Sequence, residues 1–226
     1  MTIKAAFFDV DGTLVDSIED IHIAINSGLE DNALNPISAD ETRRFVGKGA
    51  HVLVEKALLS QSADIGSFAE KVFASYMRAL LKNGTHFTKA FDTVLESLKL
   101  LKAAGIKLAV VTNKEKGPTI DCLNTLGLLS FFDTVINPSD VQNPKPAGDM
   151  VVLAAEKLNV NLSECVMVGD SMNDAIAAKN GGCQALLVKT GYNEGIPIEQ
   201  WAKHYETHPL VFDQMSGVAQ YILAAR

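Results

Sequence analysis

The sequence predicts an α/β protein, a doubly wound and mainly parallel sheet with an all-helical cap domain inserted after its first strand. Three observations carry that prediction. Short apolar, β-branched runs alternate with segments of helical length, the pattern of parallel strands joined by crossover helices. About a hundred residues separate the first run from the second, far more than a crossover needs, and that interval is helical throughout. The polar residues able to do chemistry stand directly after the runs, where open parallel sheets bind ligands.

The first strand is residues 3–8, whose apolar side chains fall on both faces and so require burial on both sides. The cap is expected over residues 16–88, with helical patterns at 18–29, 39–46, 50–59 and 68–81. Asp16 and Ser17 are expected to cap its first helix and form one hinge, and residues 81–89, with Asn83 and Gly84, form the return. Residues 1–15 and 89–226 then make the α/β core. A helical pattern at 91–104 precedes a strand at 106–111, and a short run follows at 134–136. A helix at 150–158, strands at 165–168 and 185–188, and a run at 210–212 complete it.

The chain has 226 residues, 47% hydrophobic, enough to bury a core without disulfides. Cys122, Cys165 and Cys183 are odd in number and show no CxxC spacing, which fits reduced core thiols. No uncharged run approaches the roughly 18 apolar residues of a membrane span. The opening residues lack a signal-peptide pattern because Asp9 and Asp11 interrupt the only apolar run, so a cytoplasmic location is expected. Acidic residues outnumber basic ones by 27 to 20 and form no basic stripe, which argues against nucleic acid as a partner. A monomer or a homodimer is expected.

Three strands deliver polar residues to one sheet edge: Asp9-Val10-Asp11-Gly12-Thr13, then Thr112-Asn113, then Gly169-Asp170-Ser171 with Asp174 following. An Asp-Gly turn explains the first group only in part. Asp9 and Asp11 point the same way if the strand continues, and adjacent carboxylates repel, so a cation should hold them. The candidates are a metal and Lys145, in Asn143-Pro144-Lys145-Pro146. Asp170 also suits a helix N-cap, and Asp174, one turn further on, can face the same ion. An oxygen-rich site without clustered histidines or cysteines favours a hard cation, Mg²⁺ first. Glycine fingerprints for nucleotides, GxSxG and HExxH are absent.

On these residues the sequence resembles the haloacid dehalogenase-like hydrolase superfamily over essentially its whole length. The four groups, Asp9 to Thr13, Thr112-Asn113, Lys145-Pro146, and Gly169-Asp170-Ser171 with Asp174, match its four motifs in order. Leu14-Val15-Asp16-Ser17 and the stretch Arg43-Arg44-Phe45-Val46-Gly47-Lys48-Gly49-Ala50 resemble phosphoglycolate phosphatases of the helical-cap branch. Two positions depart from the pattern: Gly148 stands where a second proline is usual, and Lys48 where asparagine is usual.

The resemblance implies a Rossmann-like core, Mg²⁺ as cofactor and a small phosphorylated metabolite, first 2-phosphoglycolate, as substrate. It implies that Asp9 attacks phosphorus to give an aspartyl-phosphate, and that Asp11 protonates the leaving alkoxide and then activates water. Asp9, Asp170 and the backbone carbonyl of Asp11 would hold Mg²⁺, with Asp174 supporting the ion or its waters. Thr112, Lys145 and backbone amides near Gly12 and Asn113 would bind the phosphoryl oxygens. Arg43 and Lys48 are the cap's candidates for the leaving group, with solvated surface charges as the alternative, and Arg44 could exchange roles with Arg43. A phosphosugar mutase keeps the same two aspartates and is the enzymatic alternative. Asp11 argues against a dehalogenase or a phosphonate hydrolase. A phosphate-accepting signalling module or a non-catalytic phosphate-binding protein is the alternative outside enzymes.

Overall fold

The structure, a computed structural model, describes residues 2–225. In chain order β1 (Ala5–Phe8) and β2 (Val15–Asp16) lead into four helices, α1 (Ile18–Glu30), α2 (Ala39–Phe45), α3 (Ala50–Ser60) and α4 (Ile65–Asn83). β3 (Lys89–Ala90) then precedes α5 (Val94–Ala103), β4 (Lys107–Val111), α6 (Lys116–Thr125) and β5 (Thr134–Ile136). Next come α7 (Asp149–Leu158), β6 (Cys165–Gly169), α8 (Met172–Gly181) and β7 (Gln184–Val188). They are followed by α9 (Ile198–His204), β8 (Leu210–Phe212) and α10 (Met215–Ala224).

Six strands form one sheet in the order β5-β4-β1-β6-β7-β8, every pair parallel. Side-chain alternation along β1 shows why the sheet is wound on both faces. Ala6 and Phe8 pack with Val110, Val168 and Leu186 beneath α5 and α10, whereas Ala5 and Phe7 pack with Val111, Met167 and Leu187 beneath α7, α8 and α9. The chain leaves β1 for β4 on one side and later places β6 on the other, so β1 is the switch point of the sheet. The carboxyl ends of β4, β1 and β6 are therefore neighbours, and they present Thr112, Asp9 and Asp170 together.

Helices α1 to α4 share a separate apolar core that includes Ile25, Leu29, Leu53, Leu58 and Tyr76. Two short strands that the hydrophobic pattern did not reveal join it to the sheet. β2 and β3 pair antiparallel, Val15 opposite Ala90 and Asp16 opposite Lys89, so the outgoing and returning linkers are tied to each other. The buried carboxylate of Asp20 strengthens this junction by accepting bonds from the Phe87 and Thr88 amides and from the Thr88 hydroxyl. Helix α4 continues to Asn83, so the first residues of the expected return hinge are helical. Among the described residues, no helix is long and apolar enough to cross a membrane.

Gly148, the departure in the third motif, has a packing reason. A Cβ there would lie 2.5 Å from the Gly181 backbone nitrogen, so the start of α7 rests directly on the end of α8. A larger residue would push Lys145's supporting loop away from the helix that carries Asp174.

Candidate active site

Asp9 leaves β1 at the switch point, and its carboxylate accepts the Val10 amide at 2.8 Å. Lys145 Nζ reaches that carboxylate at 3.2 Å and Asp174 Oδ1 at 2.6 Å. Asp174 is fully buried, and its other oxygen accepts the amide (3.1 Å) and hydroxyl (2.8 Å) of Ser171, capping α8. Ser171, rather than Asp170, is thus the N-cap. Asp170 instead accepts the Thr13 hydroxyl at 2.8 Å and the Tyr192 amide at 3.0 Å.

Carboxylate oxygens of Asp9, Asp170 and Asp174 lie within 4.8 Å of one another, all buried. At that spacing and an effective dielectric of about 20, each ionised pair repels by about 3 kcal/mol. Burial, which outweighs Lys145, raises the Asp9 carboxyl from 3.8 to about 6. Burial together with Asp174 and Asp9 pushes Asp170 well above the ordinary carboxylate range, against the bonds from Tyr192 and Thr13. Burial alone would favour a neutral Lys145, but Asp174 and Asp9 outweigh it and hold the ammonium charged. Three carboxylates facing one ammonium leave an excess of negative charge, and every donor is oxygen. That set fits a hard divalent cation.

Gly12 and Gly191 make this cluster possible. Gly12 has φ +86°, and a Cβ there would lie 2.4 Å from Asp170 Oδ2; at Gly191 it would lie 1.8 Å from the same oxygen. Two stretches of backbone therefore close on Asp170 where only glycine fits.

Asp11 faces the cap side. Ser17 Oγ donates to it at 2.5 Å and Lys114 Nζ at 2.9 and 3.1 Å. Ser17 begins α1 without capping it through its side chain, so its hydroxyl serves Asp11 in place of the expected cap. Burial would lower Lys114, yet its neighbours, Asp11 first among them, together outweigh that and keep the ammonium charged. Lys114 was not singled out in the sequence, although a lysine directly following Thr112-Asn113 at a strand end is a visible signal. Thr112 is buried beside Asp9, and its hydroxyl accepts the Lys114 amide at 3.2 Å. The Asn113 side chain donates to the carbonyls of Lys145 (2.9 Å) and Gly47 (3.3 Å), linking the core to the cap. Its Oδ1 is buried without a partner among the described residues.

A cleft of about 510 Å³, including its mouth, opens between Asp9, Asp11, Thr112 and Lys114 on the core and Val46, Leu53 and Tyr76 on the cap. The two predicted cap cations lie elsewhere. Arg43 is exposed on α2 and lines a separate groove with Arg44, Asp16 and Tyr192. Lys48 pairs with Glu194 at 2.9 Å, and Lys56 meets the same carboxylate at 3.2 Å. The Glu194 loop also carries Tyr192, whose hydroxyl donates to Asp16 (2.7 Å) and accepts the Ser17 amide (3.1 Å).

Residues 6–188 match the family model of haloacid dehalogenase-like hydrolases. The chain is 36% identical over 201 residues to a phosphoglycolate phosphatase of Neisseria meningitidis, covering 88% of this chain and 85% of that protein. It is 35% identical over 227 residues to one of Psychrobacter arcticus, covering 96% and 95% respectively. In structure it is similar to a predicted phosphoglycolate phosphatase from Haemophilus somnus 129pt, with a TM-score of 0.89, 28% identity and 98% of each chain covered.

Proposed function

The chain belongs to the haloacid dehalogenase-like hydrolase family and is a phosphoric monoester hydrolase, and on that premise we propose Mg²⁺-dependent hydrolysis of a small phosphomonoester, first 2-phosphoglycolate, through an aspartyl-phosphate. The observation that carries this reading is the pairing of Asp9, backed by Lys145 and the buried acidic cluster, with Asp11 on the cap side of the same cleft. The phosphoglycolate phosphatases of Neisseria and Psychrobacter support the substrate.

Asp9, raised only to about 6, is mainly ionised at neutral pH and attacks phosphorus without a base. Lys145 keeps Asp9 oriented and sets a positive charge beside the incoming phosphoryl oxygens. The Thr112 hydroxyl and the amides around Gly12 and Asn113 hold those oxygens. Asp11, steered by Ser17 and Lys114, donates its proton to the departing alkoxide and later takes one from the attacking water. The cap's apolar residues limit bulk water in the cleft. Asp9, Asp170 and the Asp11 carbonyl, with Asp174 behind them, would hold the Mg²⁺, which supplies charge neutralisation for an anion attacking an anion.

Phosphate release from a panel including 2-phosphoglycolate and β-glucose 1-phosphate, with and without Mg²⁺, tests the reading, with Asp9→Asn as control. Mg²⁺-dependent release that the variant abolishes is expected. Wild-type protein that folds and binds Mg²⁺ yet releases no phosphate would overturn it.

A further inference from the structure

Resting on that phosphatase reading, we infer that Lys114, with the Tyr76 hydroxyl, binds a negative group on the leaving-group side of the ester, so that the preferred substrates are small phosphomonoesters bearing a carboxylate. The two buried lysines divide the site between them. Lys145 stands on the Asp9 and Asp174 side, where the phosphoryl group is transferred, whereas Lys114 stands on Asp11, which serves the departing oxygen. A leaving group bonded to that oxygen lies next to the Lys114 ammonium.

The cap supplies no competing cation. Its wall of the cleft is Ile21, Val46, Leu53, Met77 and Leu80 with Tyr76, and among the described residues lining the cleft Lys114 alone is cationic. An anionic leaving group entering this apolar wall without a partner would be strongly disfavoured. Lys114 has the capacity to meet it. An ammonium has three protons, and among the described residues its only bonding partner is Asp11. Tyr76 lines the same cleft from the cap side, and its hydroxyl forms no hydrogen bond to the described residues. Lys114 and Tyr76 together therefore offer a proton from each wall of the cleft. Arg43 lines a separate groove and Lys48 pairs with Glu194, which leaves this position to the core lysine.

The test compares kcat/KM for 2-phosphoglycolate and 2-hydroxyethyl phosphate, esters of equal chain length that differ in the carboxylate, in wild type, Lys114→Met and Tyr76→Phe with saturating Mg²⁺. Wild type should prefer the carboxylate ester. The ratio should fall about 10- to 100-fold in Lys114→Met, the size of a lost charged hydrogen bond, and by less in Tyr76→Phe, which keeps its ring in the cap core. Because Lys114 also holds Asp11, both rates can drop in Lys114→Met, but only a leaving-group contact moves their ratio. Equal losses on both esters, or a wild type without preference, would overturn the inference while leaving the phosphatase reading intact. Should Lys114→Met not fold, an unmoved ratio in Tyr76→Phe and Lys114→Gln together overturns it. A wild type that hydrolyses no phosphomonoester removes both readings at once.

Discussion

Replacing Asp9 by asparagine should stabilise the metal-free protein at neutral pH while abolishing turnover. Burial raises this carboxyl from 3.8 to about 6, with Asp174 adding to the shift and Lys145 opposing it. At about 1.4 kcal/mol per pKa unit, keeping Asp9 ionised at pH 7 costs the metal-free fold about 3 kcal/mol. Asparagine removes the charge and still offers an oxygen to the Val10 amide. Lys145 loses its 3.2 Å contact but keeps the 2.6 Å bond to Asp174, which returns part of the gain. A net gain of about 1–2 kcal/mol remains, or about 2–8 °C in Tm for a chain of this size. The sign fixes the pH window. The folded pKa lies above the unfolded one, so the folded wild type holds more protons between 3.8 and about 6 and loses stability as pH rises through that range. The advantage of Asp9→Asn should therefore be absent below about pH 4 and complete near pH 7. Thermal unfolding in EDTA across that range measures it. With Mg²⁺ at about 100 times its Kd the order should reverse, because binding adds about 2.7 kcal/mol to the wild type. A variant that is less stable than wild type at pH 7 in EDTA, or a difference that does not change with pH, would refute this account of the cluster.

Gly12→Ala and Gly191→Ala should each displace Asp170, since the new methyl would lie 2.4 or 1.8 Å from its Oδ2, and a Mg²⁺ titration of phosphate release should show at least about tenfold weaker apparent affinity. Lys145→Met leaves Asp9 and Asp174 buried without their cation and should destabilise the fold by about 3 kcal/mol or more in urea unfolding, with Asp174→Asn in the same chain recovering part of the loss. Glu194→Gln should shift Tm by only a few degrees, because its partly exposed ion pairs with Lys48 and Lys56 are worth about 1 kcal/mol or less each.

The legible parts of this molecule are those where one short stretch of sequence meets one physical demand. Residues 5–8 are apolar on both faces because β1 is buried on both faces, and that is readable from four letters. Asp9, Thr112 and Asp170 could be grouped because each ends a strand of a parallel sheet, and strand ends on one edge converge whatever the intervening sequence. The linker strands β2 and β3 were invisible for the opposite reason. Two residues each, they owe their conformation to pairing across more than seventy positions and to Asp20, and no periodicity can develop in so short a span. A lysine after a strand is commonplace, and only the approach of Asp11 from the end of another strand gives Lys114 meaning.

The segment from Thr190 to Glu194 joins these two kinds of information. Thr190 donates to the Gly12 carbonyl at 2.8 Å, Gly191 closes on Asp170, Tyr192 binds Asp170 through its amide and Asp16 through its hydroxyl, and Glu194 receives two cap lysines. These partners all lie far from the loop in sequence, and its residues form no motif of their own, so composition could mark it only as a turn. Its contacts nevertheless bridge the acidic cluster, the outgoing linker and the third cap helix. A change in the cap's position would strain the Tyr192 bonds to Asp16 and Ser17, and through the Tyr192 amide that strain reaches Asp170. Asp170, one of the three clustered carboxylates, is thus physically connected to the linker at Asp16 and Ser17, by a loop in which a Cβ on Gly191 would occupy the space of the carboxylate.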